Sequence, residues 1–245
     1  MPDTKQCSPF FRRPVATLLT GTLWLRNRQA MYRLLLVVLM TLWSGAEVMA
    51  ADAGDCRQWQ PVRESAAGIL FHRCRQESGL PEVMIRTGFQ APPERVHEVV
   101  TDYDRFAQFI PNVRVSRVLD EQADGTSWVY HHLRFPVPVK DRAYVIRSRD
   151  RVNWPSGGYY RVDWELAGRV FPALQETAAV QPAAFSGFWE LAPADGGRAT
   201  DARYSVYSDP GGLVPDWLVA RMTGRYVEQV VSAIRQRLGE QERAQ

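Results

Sequence analysis

Three cysteines in 245 residues are too few for a disulfide scaffold, and no two of them form a Cys-x-x-Cys pair. The four histidines, His72, His97, His131 and His132, contain no His-x-x-x-His spacing. No carboxylate-rich loop accompanies them, so the usual metal-binding patterns are missing. His131 and His132 are neighbours, and on a strand they face opposite sides and cannot chelate one ion together. No Gly-x-Ser-x-Gly elbow and no phosphate-cradling glycine loop occurs; Ser186-Gly187 lies within strand-like sequence. Internal repeats, low-complexity tracts and linker-like composition shifts are also missing. No metal and no cofactor is expected, and one domain is.

No apolar run reaches the roughly 20 residues needed to span a bilayer. The longest, residues 34–43, follows Arg33 and precedes Ser44-Gly45-Ala46-Glu47-Val48-Met49-Ala50. A positive charge, a short apolar stretch and a small-x-small ending read as a secretory signal peptide, cut between Ala50 and Ala51. Residues 1–50 are thus a leader, with translation starting at Met1 or at Met31, and residues 51–245 the mature domain. The expected location is periplasmic or secreted. The leader holds six of the 30 basic and two of the 27 acidic residues, leaving 24 against 25, a net charge of −1 in place of +3. No basic patch remains for nucleic acid. Cys7 is in the leader; Cys56 and Cys74 form an even pair in an oxidising compartment and are expected to be a disulfide.

What is present is a series of strand signals around two helical ones. Residues 55–65 read as a short helix or turn carrying Trp59. Residues 68–76 and 81–90 alternate as a hairpin. In residues 91–113, Val96, Val99, Val100, Tyr103, Phe106, Phe109 and Ile110 recur at helical spacing and predict two short helices. Strands are predicted over 113–121, 126–135, 142–151, 158–166, 178–182, 185–192 and 199–208, separated by Gly-rich turns that favour an antiparallel meander. Residues 215–237 predict a long helix, opened by Pro215 and striped by Trp217, Ala220, Gly224, Val227, Val231 and Ile234, with Leu238 just beyond.

Three stretches carry a family resemblance. Residues 91–113 resemble the segment after the first hairpin of the START/polyketide-cyclase superfamily. Phe135-Pro136-Val137-Pro138-Val139-Lys140-Asp141-Arg142 looks like a strand, a Pro-x-Pro turn and a charged pair, here in reversed order. Tyr207-Ser208-Asp209-Pro210-Gly211-Gly212-Leu213-Val214-Pro215-Asp216-Trp217-Leu218 is similar to the passage of START (StAR-related lipid transfer) domains from the last strand into the lid helix. Gly187-Phe188-Trp189 resembles the family's Gly-x-Trp strand. The resemblance covers residues 55–238. It implies an α+β helix-grip fold, a curved antiparallel sheet wrapped around a long C-terminal helix over a lipid-sized cavity. It also implies that Asp209, Pro210, Gly211 and Gly212 form a gate beside that helix.

Strand alternation then nominates a lining: Tyr160, Val162, Trp164 and Leu166 on one strand, Trp189 with Leu191, and Tyr204 with Val206 on others. Trp217, Val227 and Val231 join them from the helix. Side chains of this kind suit a lipid, because each buried methylene contributes about 0.8 kcal/mol without directional chemistry. Arg147 and His131 are the candidates for polar contact. The expected partner is a lipid or other hydrophobic small molecule, with Leu213, Val214 and Trp217 as candidates for transient membrane contact. Two other readings use the same residues. A cyclase- or hydrolase-like enzyme would pair His131 or His132 with Asp163, Glu165 or Arg147. A partner-binding module would have the same aromatics packed as a filled core. No catalytic residue is assigned.

Overall fold

Alternating apolar residues dominate the described part of the chain, and each such run pairs with the next except Pro81–Phe89, which pairs with the last strand. The computed structural model describes residues 58–75, 80–135, 139–153, 156–168, 171, 179–211 and 216–243. All fall within one unit, Cys56–Gln245. The leader, Cys56 and Gly212 lie outside the described residues, as does the side chain of Trp217.

The strands are β1 (Gln60–Ser65), β2 (Gly68–Cys74), β3 (Pro81–Phe89), β4 (Val113–Glu121), β5 (Thr126–Leu133), β6 (Arg142–Val152), β7 (Tyr160–Leu166), β8 (Ala184–Ala194) and β9 (Ala199–Asp209). They form one nine-stranded sheet in the order β1-β2-β3-β9-β8-β7-β6-β5-β4, every neighbouring pair antiparallel. Three helical segments follow β3 or close the chain. They are α1 (Pro93–Thr101), then a 3-10 turn (Tyr103–Arg105) leading into α2 (Phe106–Phe109), and α3 (Asp216–Arg243). A sheet wrapped on a long terminal helix, with two short helices after the first hairpin, is the helix-grip arrangement expected from the sequence.

Three expectations need correction. Residues 60–65 are a strand, not a helix or turn. The segment is mostly exposed and includes Pro61, so it carries little apolar periodicity; pairing with β2 makes it an edge strand. Residues 178–182 do not form a strand among the described positions: Val180 makes a single parallel bridge to Arg142. The terminal helix runs on to Arg243, because Leu238 still buries its side chain and Gln236 Nε2 donates to Glu240 Oε1 one turn ahead.

The core lies on the concave face. α3 packs chiefly against β3, and also against β9, α1 and α2. Leu70, Val83, Ile85, Val227 and Val231 close against one another on the β2–β3 side. The convex face is polar and paired: Arg73 reaches Glu82 at 2.8 Å, Arg161 bridges Asp163 at 2.8 Å and Glu190 at 3.0 Å, and Arg203 reaches Glu190 at 2.6 Å.

Candidate functional site

The alternation that sends Arg161, Asp163 and Glu165 outward sends Trp164 inward, and neighbouring strands do the same. A cavity of about 60 Å³ lies between the sheet and its helical roof. β5 to β9 supply His131, Tyr144, Ile146, Trp164, Phe185, Trp189 and Tyr204. The roof supplies Val100 from α1, then Tyr103, Phe106 and Ile110, and α3 adds Tyr226, Val230 and Ile234. No residue of β1, β2 or β3 is among them.

Local backbone chemistry makes room for the aromatics. A Cβ on Gly187 would overlap the Ser205 carbonyl oxygen and lie 2.5 Å from Trp164 Cζ2. Only glycine therefore lets the indole lie flat across β8. Trp189 stacks on Tyr204 with centroids 4.2 Å apart and planes 8° from parallel. His131 sits among rings: Phe106 stacked at 6.0 Å, Tyr144 at 5.6 Å and Tyr103 at 6.3 Å.

Several polar atoms in this wall have no partner among the described residues. His131 Nδ1 and Trp164 Nε1 are buried without a hydrogen bond. Tyr103 is satisfied, its hydroxyl 2.7 Å from Ser148 Oγ. The hydroxyls of Tyr144, Tyr204 and Tyr226 make no hydrogen bond to any described residue. Burial pulls the His131 imidazole down to about 4, so it is neutral at neutral pH. Burial also raises Tyr144, Tyr204 and Tyr226 above the ordinary tyrosine value; for Tyr144 and Tyr204 the nearby Tyr226 hydroxyl adds to the rise. All four groups are uncharged, and among the described residues no Asp, Glu, Lys or Arg lines the cavity.

Of the residues nominated from sequence, the structure brings together Trp164, Trp189, Tyr204 and His131 at the cavity wall. Val162, Leu191, Val206, Val227 and Val231 are buried in the surrounding core, and Leu166 packs against its edge. Tyr160 lies at the α1 end, stacked on His97 at 4.5 Å, its hydroxyl donating to Glu94 Oε1 at 3.2 Å. Successive inward residues of a strand are about 7 Å apart, so a small cavity meets only one or two per strand. Arg147 is exposed and paired with Glu165, because Ile146 beside it takes the inward position.

Sequence reasoning missed Tyr226 and Val230. On a helix one residue is a 100° turn. The stripe Tyr226, Val230 and Ile234 faces the cavity, whereas Val227 and Val231 belong to the packed stripe beside it. A tyrosine at i, i+4, i+8 with two aliphatics was the available signal.

The two histidines part as adjacent strand residues must. His132 Nε2 lies 3.0 Å from Asp141 Oδ2, while His131 faces the rings. Asp163 is bound to Arg151 and Arg161 on the convex side. Among the described residues, therefore, no carboxylate faces His131 as an acid/base partner. Among the described residues no group of three His, Cys, Asp or Glu is placed to hold a metal ion.

The turn after β9 is pinned from two sides. Gly211 N–H donates to Asp209 Oδ1 at 2.9 Å, and Gly211 has φ 67°, a left-handed conformation suited to glycine. Arg142 Nε donates to the Pro210 carbonyl at 3.0 Å, and its Nη1 to the Lys140 carbonyl at 2.7 Å. Cys74 ends β2, half-buried.

Comparison with known proteins places this geometry. Human phosphatidylcholine transfer protein is 20% identical over 188 residues, covering 72% of this chain and 82% of its own. A STAR-related lipid transfer protein fragment from Xanthomonas axonopodis is 23% identical, with 74% of this chain and 98% of its own covered at a TM-score of 0.65. Human StAR-related lipid transfer protein 5 is 12% identical, with 87% and 97% covered at a TM-score of 0.64. At these identities the solved structures establish the START fold. The family described as polyketide cyclase / dehydrase and lipid transport matches residues 89–235, more than half of the chain and every cavity-lining residue from Val100 to Ile234, so the protein belongs to that family.

Proposed function

We propose that this protein binds a lipid or similar hydrophobic molecule beneath α3 and carries it without transforming it. The observation that carries the reading is the aromatic cavity roofed by α1, α2 and α3 in a chain of this family. The names of the relatives, which speak of lipid transfer, point the same way. The enzyme reading lacks support for its second group, since among the described residues no carboxylate stands opposite His131.

A volume of about 60 Å³ admits a few waters or one functional group, not an acyl chain. Binding therefore requires the roof to move. The 209–217 segment, with its left-handed Gly211 and the Arg142 bond to Pro210, is the natural hinge for α3. The leader directs the chain to the periplasm or beyond, where Cys56 and Cys74 would pair. Trp217, in the first turn of α3, would touch a bilayer during transfer. No helix among the described residues is long and apolar enough to cross a membrane.

The test is native mass spectrometry of the protein purified from a periplasm, followed by extraction of whatever accompanies it. A discrete bound lipid is expected. A protein that stays empty after exposure to a lipid extract removes the carrier reading. Vesicle transfer that is unchanged by Trp217→Ala removes the membrane contact.

A further inference from the structure

The cavity has a chemical signature beyond being apolar, and reading it rests on the ligand-binding proposal above. Its wall holds Trp164 Nε1 and His131 Nδ1, both buried and unpartnered. It also holds three tyrosine hydroxyls, Tyr144, Tyr204 and Tyr226, that bond to no described residue. Buried polar groups in folded proteins are nearly always satisfied, and an unpartnered one is costly. Two such groups on one small cavity, beside three tyrosine hydroxyls that face it, mark a place where an atom from outside the chain completes the bonding. Among the described residues the cavity wall carries no charged side chain, and the ion pairs Arg147–Glu165, Arg161–Asp163 and Arg161–Glu190 lie on the convex face.

We infer that the bound molecule is an uncharged hydrophobe whose polar end is a hydroxyl or carbonyl oxygen, seated among Trp164, His131 and the three tyrosines. The indole N–H only donates, so the group facing it accepts. Tyrosine hydroxyls donate or accept, and neutral imidazole does either, so a hydroxyl or a carbonyl is served equally. A phosphocholine or phosphate head would bury charge with no counter-ion. The site therefore selects against the headgroup in the name of the human relative, although the fold is shared.

The experiment sets molecules with one hydrocarbon chain and different ends in competition for the whole purified protein, read by native mass spectrometry at neutral pH. The probes are dodecane, dodecanol, methyl dodecanoate, dodecanoate and dodecylphosphocholine. The alcohol and the ester are expected to outcompete dodecane, dodecanoate and dodecylphosphocholine by about tenfold, the worth of one to two hydrogen bonds. Preference for dodecylphosphocholine overturns the inference. Preference for dodecanoate also overturns it, because an anion would then be held by a protonated His131. Equal binding of dodecane and dodecanol overturns it too, since internal water would then serve the polar groups. If none of the five binds, the carrier reading itself fails and takes this inference with it. Tyr226→Phe keeps the ring and removes one hydroxyl. It is expected to cut the alcohol-to-alkane preference about three- to tenfold. An unchanged preference in Tyr226→Phe, Tyr144→Phe and Tyr204→Phe alike would also overturn it.

Discussion

On one side of α3, Leu70, Val83, Ile85, Val227 and Val231 close against one another; on the other, Trp164, Trp189, Tyr144, Tyr204 and Tyr226 leave a cavity. Both sides lie under the same helix and the same sheet. The difference is side-chain shape. Branched aliphatics interdigitate to interior density. Flat rings tipped with hydroxyl, imidazole and indole groups stack at set distances and leave space where their polar atoms point. The closed side anchors α3, and the open side holds the cavity in which the proposed ligand would bind.

The contrast can be broken most severely through the largest side chains. Phe89, 1% exposed between the sheet and α3, is expected to lose about 4 kcal/mol of stability on Phe89→Ala. Phe106→Ala, on a half-buried ring at the cavity edge, is expected to cost less than about 2 kcal/mol. Urea unfolding of both variants measures the difference; equal losses would mean that the two sides are packed alike.

Acid acts most strongly on the open side, through His131. Its imidazole is lowered from 6.5 to about 4 in the folded protein. Between those values the unfolded chain binds the proton and the folded one does not. Stability is thus complete above about pH 6.5 and falls as pH drops toward 4, by about 3 kcal/mol in all. His131→Phe is expected to flatten this limb in thermal unfolding across pH 4–7. The remainder reports His72, which burial lowers as well.

Gly187→Ala sharpens the account of how the rings fit. The added methyl must displace Trp164 or part β8 from β9, for an expected loss of about 2 kcal/mol. Near-ultraviolet circular dichroism should change with it; an unaltered spectrum would show that the indole has other room.

The smallest effect is the most exact comparison, because Val230 and Val231 are neighbours of one type on different faces of α3. Val231→Ala opens a new void in packed core and is expected to cost about 2 kcal/mol. Val230→Ala only enlarges an existing one, at about 1 kcal/mol, and should speed ligand release measured by vesicle transfer. Reversed losses would place the ligand on the wrong side of the helix.

Much of this was legible in the chain. Strict alternation in residues 160–166 and 199–208 fixes which side chains face inward, since the strand period of two leaves no choice. The long terminal helix follows from its 3.6-residue stripe, although the stripe predicted an end at 237 and the helix runs on to Arg243. What could not be read locally was depth: Tyr160 and Trp164 share a face of β7, yet one meets His97 and Glu94 and the other the cavity. β1 was misread for a related reason, since its strand form comes from its partner and not from its own pattern.

By itself, then, the sequence determined the order of strands and helices from β2 onward apart from 178–182, the inward and outward faces, and the separation of His131 from His132, all consequences of local periodicity. The tertiary structure alone decided that Tyr226 and Val230, not Val227 and Val231, face the cavity, and that Arg147 spends its charge on Glu165 outside. Those outcomes depend on the rotation of α3 about its axis and on the level at which each strand crosses its neighbours. Both are set by packing between residues far apart in the chain, which no local pattern records.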